Sequence, residues 1–139
     1  MDVGPVLDTA WAGRGAASGD IDNDGDIDIV VTNIGQHAYI LRNNGGNQNG
    51  WIGIRARGRS SNRDGIGCRV KVISALGATQ YYTIGTTAGY LSASDKRLVI
   101  GMGAEKVAKS IEIRWPSGAI QRFENVAAGK WIDAVEPAP

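Results

Sequence analysis

Cysteine, histidine and long apolar runs are scarce in this sequence, and each scarcity excludes a class of protein. The single cysteine, Cys68, excludes an internal disulfide bond. The single histidine, His37, is interpreted as an ordinary surface residue. No run approaches the ~20 consecutive apolar residues of a membrane-spanning helix, so membrane insertion is not expected. The first residues lack the basic and apolar regions of a signal peptide, so an exported parent protein would need a leader outside this chain.

Glycine is abundant, whereas helix signals are weak. The 139 residues include 20 glycines, which follow no collagen-like period and lie between short apolar runs. This spacing is typical of the tight turns of a β-protein. A hydrophobic content of 42% is sufficient for the core of one compact domain, with or without a short appendage.

The formal net charge is only +1, but the charges are distributed unevenly along the chain. Residues 1–50 contain seven aspartates and two arginines, whereas the remainder contains 13 basic and seven acidic residues. The two parts are therefore expected to have different electrostatic roles. The first part is interpreted as a cation site, and the second as a solvated basic face.

Alternation of apolar and polar residues is the strongest secondary-structure signal in residues 49–139. It is clearest at 51–58, 67–73 and 109–115, where aliphatic and charged residues alternate. Further strands are predicted at 80–84, 97–101, 120–124 and 131–135. Seven short strands separated by turn signals predict an all-β domain, either a β-sandwich or a closed, barrel-like sheet.

Residues 1–48 are predicted to form a smaller unit. Short strands are expected at 16–18, 27–32 and 39–42, and an Asn- and Gly-rich turn or linker follows them. Three strands cannot bury a core by themselves. This segment is therefore expected to pack against the domain of residues 49–139 or to be a fragment of something larger.

A run of alternating aspartates lies between the first two predicted strands. Carboxylates occupy loop positions 1, 3, 5 and 9, a glycine at position 6 permits a sharp bend, and the carbonyl of position 7 can add a ligand. In that order the residues are Asp20, Asp22, Asp24, Asp28, Gly25 and Asp26. Calcium takes six to eight oxygen ligands, and charges this dense would repel one another without a cation. The loop therefore predicts a Ca²⁺ site.

Two alternatives stay open for this loop, and a third is excluded. A solvated acidic turn or a magnesium site would use the same residues. An EF-hand is excluded because position 12 is Val31 instead of glutamate, and because predicted strands, not helices, follow the loop.

The loop and its surroundings resemble the FG-GAP/VCBS repeat, the calcium-loop repeat of integrin-α-type β-propellers. The similarity runs through residues 15–31 and continues to 41–45. The resemblance implies that the aspartates at positions 1, 3, 5 and 9 hold calcium by their side chains and that Asp26 does so by its carbonyl. One repeat cannot close a propeller, so residues 1–48 are expected to form a partial propeller blade.

Residues 49–139 resemble the ASPIC/UnbV domain, which follows such repeats in secreted proteins. The matching stretches are 61–70, 89–94, 100–103 and 107–118. The resemblance implies the C-terminal part of a larger secreted protein of the cartilage acidic protein type, with an extracellular or cell-surface location.

No catalytic group of residues is recognised in the sequence. Cys68 falls on the inward face of a predicted strand, and no pattern pairs it with His37. Ser92 and Ser94 lack the sequence context of a nucleophile elbow. The chain is therefore not expected to be an enzyme.

A basic face is predicted if the strands at 51–58 and 67–73 pair as a hairpin. Its members would be Arg55, Arg57, Arg69 and Lys71. An acidic polysaccharide or another polyanion could bind there, although an ordinary solvated face has the same pattern. Nucleic acid is not expected, because interleaved exposed aromatic residues are lacking.

These features favour a calcium-binding extracellular module that has a structural or interaction role and no catalytic activity. The isolated chain is expected to be a monomer. The alternative is a carbohydrate-binding module that uses exposed aromatic rings or the basic face, with an extracellular polysaccharide or protein as its partner.

Overall fold

A computed structural model describes residues 10–138 of the chain. Their regular structure consists of twelve β-strands and one short 3-10 helix, Gly46–Gln48. The strands are β1 (Gly13–Gly19), β2 (Asp28–Asn33), β3 (Tyr39–Leu41), β4 (Gly50–Arg57), β5 (Arg69–Ser74), β6 (Thr79–Thr83), β7 (Thr87–Gly89), β8 (Ser92–Ala93), β9 (Leu98–Gly103), β10 (Val107–Arg114), β11 (Ile120–Ala127) and β12 (Lys130–Val135). The prediction of an all-β fold is confirmed, and all ten predicted strands have a counterpart. None of the described residues forms a helix with the length and apolar character needed to cross a membrane.

Two sheets pack face to face to form a sandwich. One sheet is antiparallel and has the order β11-β10-β5-β6. The other has the order β12-β4-β9, with β12 parallel and β9 antiparallel to β4. Because side chains alternate along each strand, one face of each sheet supplies the core. The core includes Ile52, Ile54, Val70, Val72, Ile100, Ile111, Ile113 and Trp115.

The third sheet, with the order β1-β2-β3, is antiparallel and precedes the sandwich in the chain. It docks on the short β7-β8 hairpin, which the sequence does not predict. The hydroxyl oxygens of Ser92 and Ser94 accept hydrogen bonds from the backbone N–H groups of Ala16 and Ser18, at 2.9 and 3.0 Å. The N-terminal segment thus packs against the larger unit, as expected for a sheet too small to form its own core.

The predicted hairpin of residues 51–58 and 67–73 is wrong. β4 and β5 belong to different sheets, so their outward side chains lie on opposite outer faces of the sandwich. Arg55 and Arg57 of β4 therefore do not share a surface with Arg69 and Lys71 of β5. Strands that are neighbours in sequence usually pair, but here the connection crosses from one sheet to the other.

Candidate metal centre

Three carboxylates of the aspartate loop converge between β1 and β2. Oxygens of Asp20, Asp22 and Asp28 all lie within 4.8 Å of one another. Asp20 and Asp28 are buried, whereas Asp22 is exposed. Carboxylates this close repel one another, and burial adds a desolvation cost, so the group requires compensation by hydrogen bonds or by a cation.

Backbone N–H groups orient the two buried carboxylates. Asp20 accepts hydrogen bonds from the N–H groups of Asp24 and Gly25, at 3.1 and 3.0 Å. Asp28 accepts from Ile21 and Asn43, at 3.0 and 2.9 Å. Each carboxylate oxygen has two lone pairs, so these bonds leave capacity for a cation on every oxygen.

The side chains of the other two predicted ligands lie outside this three-carboxylate cluster. Asp24 Oδ1 accepts a hydrogen bond of 2.9 Å from the Asp26 N–H, and Asp26 Oδ2 accepts one of 3.1 Å from the Gly46 N–H. Both side chains therefore hold the loop backbone in its curled form. The second oxygen of Asp26 is buried and has no hydrogen-bond partner among the described residues.

Arginine side chains supply positive charge near the loop, with Arg42 and Arg97 making the shortest contacts. Arg42 Nη2 lies 2.5 Å from Asp22 Oδ2 and compensates this exposed carboxylate.

Arg97 donates hydrogen bonds of 2.6 Å to the Asp20 carbonyl and the Asn23 Oδ1 atom, while Asp95 neutralises its guanidinium at 2.5 Å. Arg97 thus ties the loop to the sandwich. The sequence offers no signal for this contact, because a single arginine at the start of a strand forms no pattern.

Aromatic packing also joins the loop to the sandwich. The Gly25 backbone lies so close to the Trp51 indole that no side chain fits between them. Trp51 meets Trp131 edge-on, with 6.1 Å between ring centroids. The guanidinium carbons of Arg55 and Arg97 lie 4.5 and 4.9 Å from the Trp131 ring centroid. Trp51 and Trp131 therefore form a joint, by which we mean the packed contact between the aspartate loop and the sandwich.

Arg55 and Arg57, two members of the predicted basic face, line a cavity of about 510 Å³ beside β12. Its other charged residues are Arg63, Asp64 and Asp133. Arg55 lies 3.8 Å from Asp133, and the Asp64 carboxylate pairs with Lys96 at 2.7 Å. Much of the charge in this cavity is therefore compensated within the chain.

Sequence reasoning missed a further buried carboxylate, that of Glu136, which lies outside the aspartate loop and follows β12. Glu136 Oε2 accepts hydrogen bonds from the backbone N–H groups of Arg59, Ser60 and Ser61 at 2.6–2.8 Å. Its Oε1 accepts from the hydroxyls of Ser61 and Ser117 at 2.7 and 2.6 Å. Burial raises the pKa of Glu136, but the hydrogen bonds from Ser117, Ser61 and Arg59 outweigh it and lower the pKa to about 2. The carboxylate is saturated by internal donors and clamps two turns together.

Cys68, Ser92 and Ser94, the side chains considered as nucleophiles, are all involved in packing or in hydrogen bonds that hold the fold. Cys68 lies in the core with no exposed surface, as its place on an inward face predicts. Burial, together with the nearby Glu136 carboxylate, raises the pKa of the Cys68 thiol to about 11. The hydroxyls of Ser92 and Ser94 are engaged by β1, and His37 is exposed.

We expect Cys68 to be unreactive in the folded protein. Thiol reagents attack the thiolate, and both the raised pKa and burial suppress its reaction at pH 8. A disulfide reagent such as DTNB should therefore release no chromophore from native protein, whereas the same sample in guanidinium chloride should react with one equivalent. Rapid stoichiometric labelling without denaturant would contradict the buried position.

Comparison with known proteins places this fold in a family. The family model described as ASPIC and UnbV matches residues 58–138, which include all strands from β5 to β12. Cartilage acidic protein 1 of Homo sapiens is 26% identical over 139 residues, covering 98% of this chain. Cartilage acidic protein 1 of Mus musculus is 26% identical over 121 residues, covering 85% of this chain.

This chain spans only about a fifth of the length of these relatives, namely 21% of the human protein and 18% of the mouse protein. The aspartate loop precedes the residues that the family model matches. Because that model covers more than half of the chain, the protein is a member of the ASPIC and UnbV family.

Proposed function

We propose that the chain is a calcium-binding structural module of an extracellular protein and that it has no catalytic activity. The observation that supports this most directly is the convergence of Asp20, Asp22 and Asp28, with carboxylate oxygens within 4.8 Å of one another. Hard carboxylate oxygens are the ligands that Ca²⁺ takes in proteins.

The donor set of the loop fits a hard divalent cation. Asp20 and Asp28 are held in place by backbone N–H groups, so little side-chain entropy remains to be lost when an ion binds. Asp22 is exposed and paired with Arg42, and it would exchange this surface ion pair for the metal. The carbonyl of Asp26 and water would complete the six to eight oxygen ligands that calcium prefers.

A bound ion would stabilise the joint between the N-terminal sheet and the sandwich. The loop is in contact with the sandwich through Arg97, which binds the Asp20 carbonyl, and through Gly25, which packs on Trp51. Ordering the carboxylates orders these two contacts as well. The module would then hold the two parts of the chain in one fixed orientation.

An extracellular setting agrees with the chemistry of the loop and with the relatives. Weak calcium loops fill at the millimolar calcium concentrations found outside cells. The similar proteins are named cartilage acidic protein 1, and cartilage is a tissue that consists mainly of extracellular matrix. The burial of Cys68 and the use of Ser92 and Ser94 in docking β1 support a module without a nucleophile.

We expect calcium to raise the melting temperature of metal-free protein, and EDTA to reverse the change. A ligand at ten times its Kd adds roughly 1.4 kcal/mol to the stability of the state that binds it, which corresponds to about 3–5 °C for a chain of this size. Terbium, which can replace calcium, should show luminescence sensitised by Trp51, because this ring packs on the loop.

Asp22→Ala and Arg42→Gln form a matched pair of variants for this test. Both break the same surface ion pair, but only the first removes a proposed ligand. Asp22→Ala should abolish or strongly weaken the calcium response, whereas Arg42→Gln should keep or strengthen it. A melting temperature that is insensitive to calcium and EDTA in the unmodified chain, together with no terbium luminescence, would refute the proposed site.

A further inference from the structure

The outer face of the four-stranded sheet carries basic residues that form no ion pair within 4.0 Å among residues 10–138, although Glu112 lies opposite one of them, Lys71, in the register. Arg69 and Lys71 of β5 point away from the core, because Val70 and Val72 point into it. Arg114 of β10 lies directly opposite Arg69 in the antiparallel register and is also exposed. Residues that oppose each other in this way have Cβ atoms ~5 Å apart.

Two arginines in opposing positions destabilise a sheet, because their like charges repel. Among residues 10–138, the ion pairs include no carboxylate within 4.0 Å of either guanidinium. Arg122 lies on the same face but is paired with Glu112 at 2.8 Å. The repulsion between Arg69 and Arg114 is therefore a local cost that a bound anion would remove.

An exposed aromatic ring lies beside these charges. Tyr81 of β6 is opposite Lys71 in the register and is 72% exposed. The Lys71 ammonium lies 5.9 Å from the centroid of the Tyr81 ring. Tyrosine combines an apolar ring face with a polar tip, which suits packing against the C–H face of a sugar ring that keeps its hydroxyl groups in water.

We propose that Arg69, Lys71, Tyr81 and Arg114 form a binding surface for an acidic polysaccharide. A sulfate or carboxylate group would bridge the two guanidiniums, whose forked donors match such oxyanions. Arg114 and Tyr81 are on strands two positions apart, which separates them by ~10 Å across the sheet. A ligand that touches both is longer than a single sugar ring, so the partner is an oligomer.

The surface favours a polysaccharide over single-stranded nucleic acid. Nucleic-acid grooves stack successive bases on several aromatic rings, whereas this face presents one tyrosine beside the arginine pair. The surface is also separate from the aspartate loop, which packs on the outer side of the other sheet through Trp51 and Arg55. Failure of the calcium site would therefore leave this proposal intact, and the reverse also holds.

The test uses three polymers that share one backbone: dextran sulfate, carboxymethyl dextran and unmodified dextran. Binding is measured by titration calorimetry in EDTA at low ionic strength, where surface charges are least screened. We expect at least one charged dextran to bind, with its identity distinguishing sulfate from carboxylate, and unmodified dextran not to bind. Arg114→Gln should weaken binding about tenfold, equivalent to ~1.4 kcal/mol, and Tyr81→Ser should weaken it several-fold.

Arg122→Gln is the matched control, because it changes the net charge equally and lies on the same face. It should weaken binding less than Arg114→Gln does, since Arg122 is already paired with Glu112, whereas Arg114 has no ion-pair partner among residues 10–138. Arg114→Gln should also leave the melting temperature of the free protein unchanged or raise it, because it relieves repulsion. The proposal is overturned if the two arginine variants lose affinity equally, if neither charged dextran binds, or if a DNA single strand of similar length binds as tightly.

Discussion

Replacing Glu136 by glutamine is expected to lower the melting temperature by on the order of 10 °C. The carboxylate accepts five hydrogen bonds from three backbone N–H groups and two hydroxyls, and it is buried. An amide of the same shape presents an NH₂ group to one of these sets of donors. Buried donors would then lose their acceptor, which is among the most destabilising changes a single substitution can make.

The effect should depend on pH in a defined direction. The pKa of Glu136 is about 2 in the folded protein, against an ordinary value of 4.5. Between these values the unfolded chain binds a proton that the folded chain does not, so this contribution is complete above pH 4.5 and decreases as the pH falls toward 2. The gap in melting temperature between unmodified protein and Glu136→Gln should therefore narrow from pH 6 to pH 2.5.

Glu124→Gln is the control for this experiment, because Glu124 is an exposed carboxylate on β11, the strand that precedes β12 in the chain. Its replacement should change the melting temperature by no more than a degree or two, since surface substitutions of this kind have small effects. An equal loss in both variants, or a gap for Glu136→Gln that is constant with pH, would show that Glu136 is not the clamp described above.

Alanine at position 25 should destabilise the chain by about 2–4 kcal/mol, even in EDTA. Gly25 has a φ of +94°, which side-chain-bearing residues rarely adopt, and an added Cβ atom would overlap the Trp51 indole. The variant therefore combines backbone strain with overpacking. Trp51 should move, so urea denaturation followed by tryptophan fluorescence reports both the stability and the altered joint.

Gly118→Ala separates these two causes. Gly118 has a φ of +95°, nearly that of Gly25, but no neighbouring atom lies within 4 Å of the position of an added Cβ. The Gly118→Ala variant should therefore lose only the stability that the strained backbone conformation costs, about 1 kcal/mol. If the two variants are equally stable, the loop does not pack on Trp51 as described, and the joint between the aspartate loop and the sandwich would need another explanation.

The substitutions of Glu136 and Gly25 test two different parts of the fold. Glu136 holds the end of β12 against the turns at residues 59–61 and 116–117, within the region that the family model matches. Gly25 lies in the loop that precedes this region. The proposed calcium ion and the tryptophan joint would act together, because both restrict the same short segment of backbone.

Strand positions were predictable from the sequence because alternation reports directly on which side chains of a strand are buried. Ile54, Val70 and Val72 each lie next to a charged residue in the sequence, and all three belong to the core. β7 and β8 were not predictable, since strands of three and two residues with exposed side chains carry no periodic signal. The contacts that Ser92 of β8 and the adjacent Ser94 make with the edge of β1 exist only once both segments are folded.

The cluster of aspartates was predictable because the spacing of its carboxylates is local, so that nine consecutive residues contain the whole pattern. The basic face failed as a prediction because it depended on strand pairing, which sequence does not report. Arg55 lies on the outer face that the aspartate loop covers, whereas Arg69 lies on the opposite outer face of the sandwich. Arg114, remote in sequence, became the neighbour of Arg69 through the register of β5 and β10.

By itself, the sequence determined the all-β class, the strands of the sandwich, the inward position of Cys68 and the cluster of aspartates, since each depends on residues that are near one another in the chain. Only the tertiary structure decided which strands pair, that β12 runs parallel to β4, and that Glu136, Arg97 and Trp51 close the molecule over distances of up to 77 residues. Such contacts form only when the two sheets pack against each other and bury their inner faces. No local pattern in the chain encodes them.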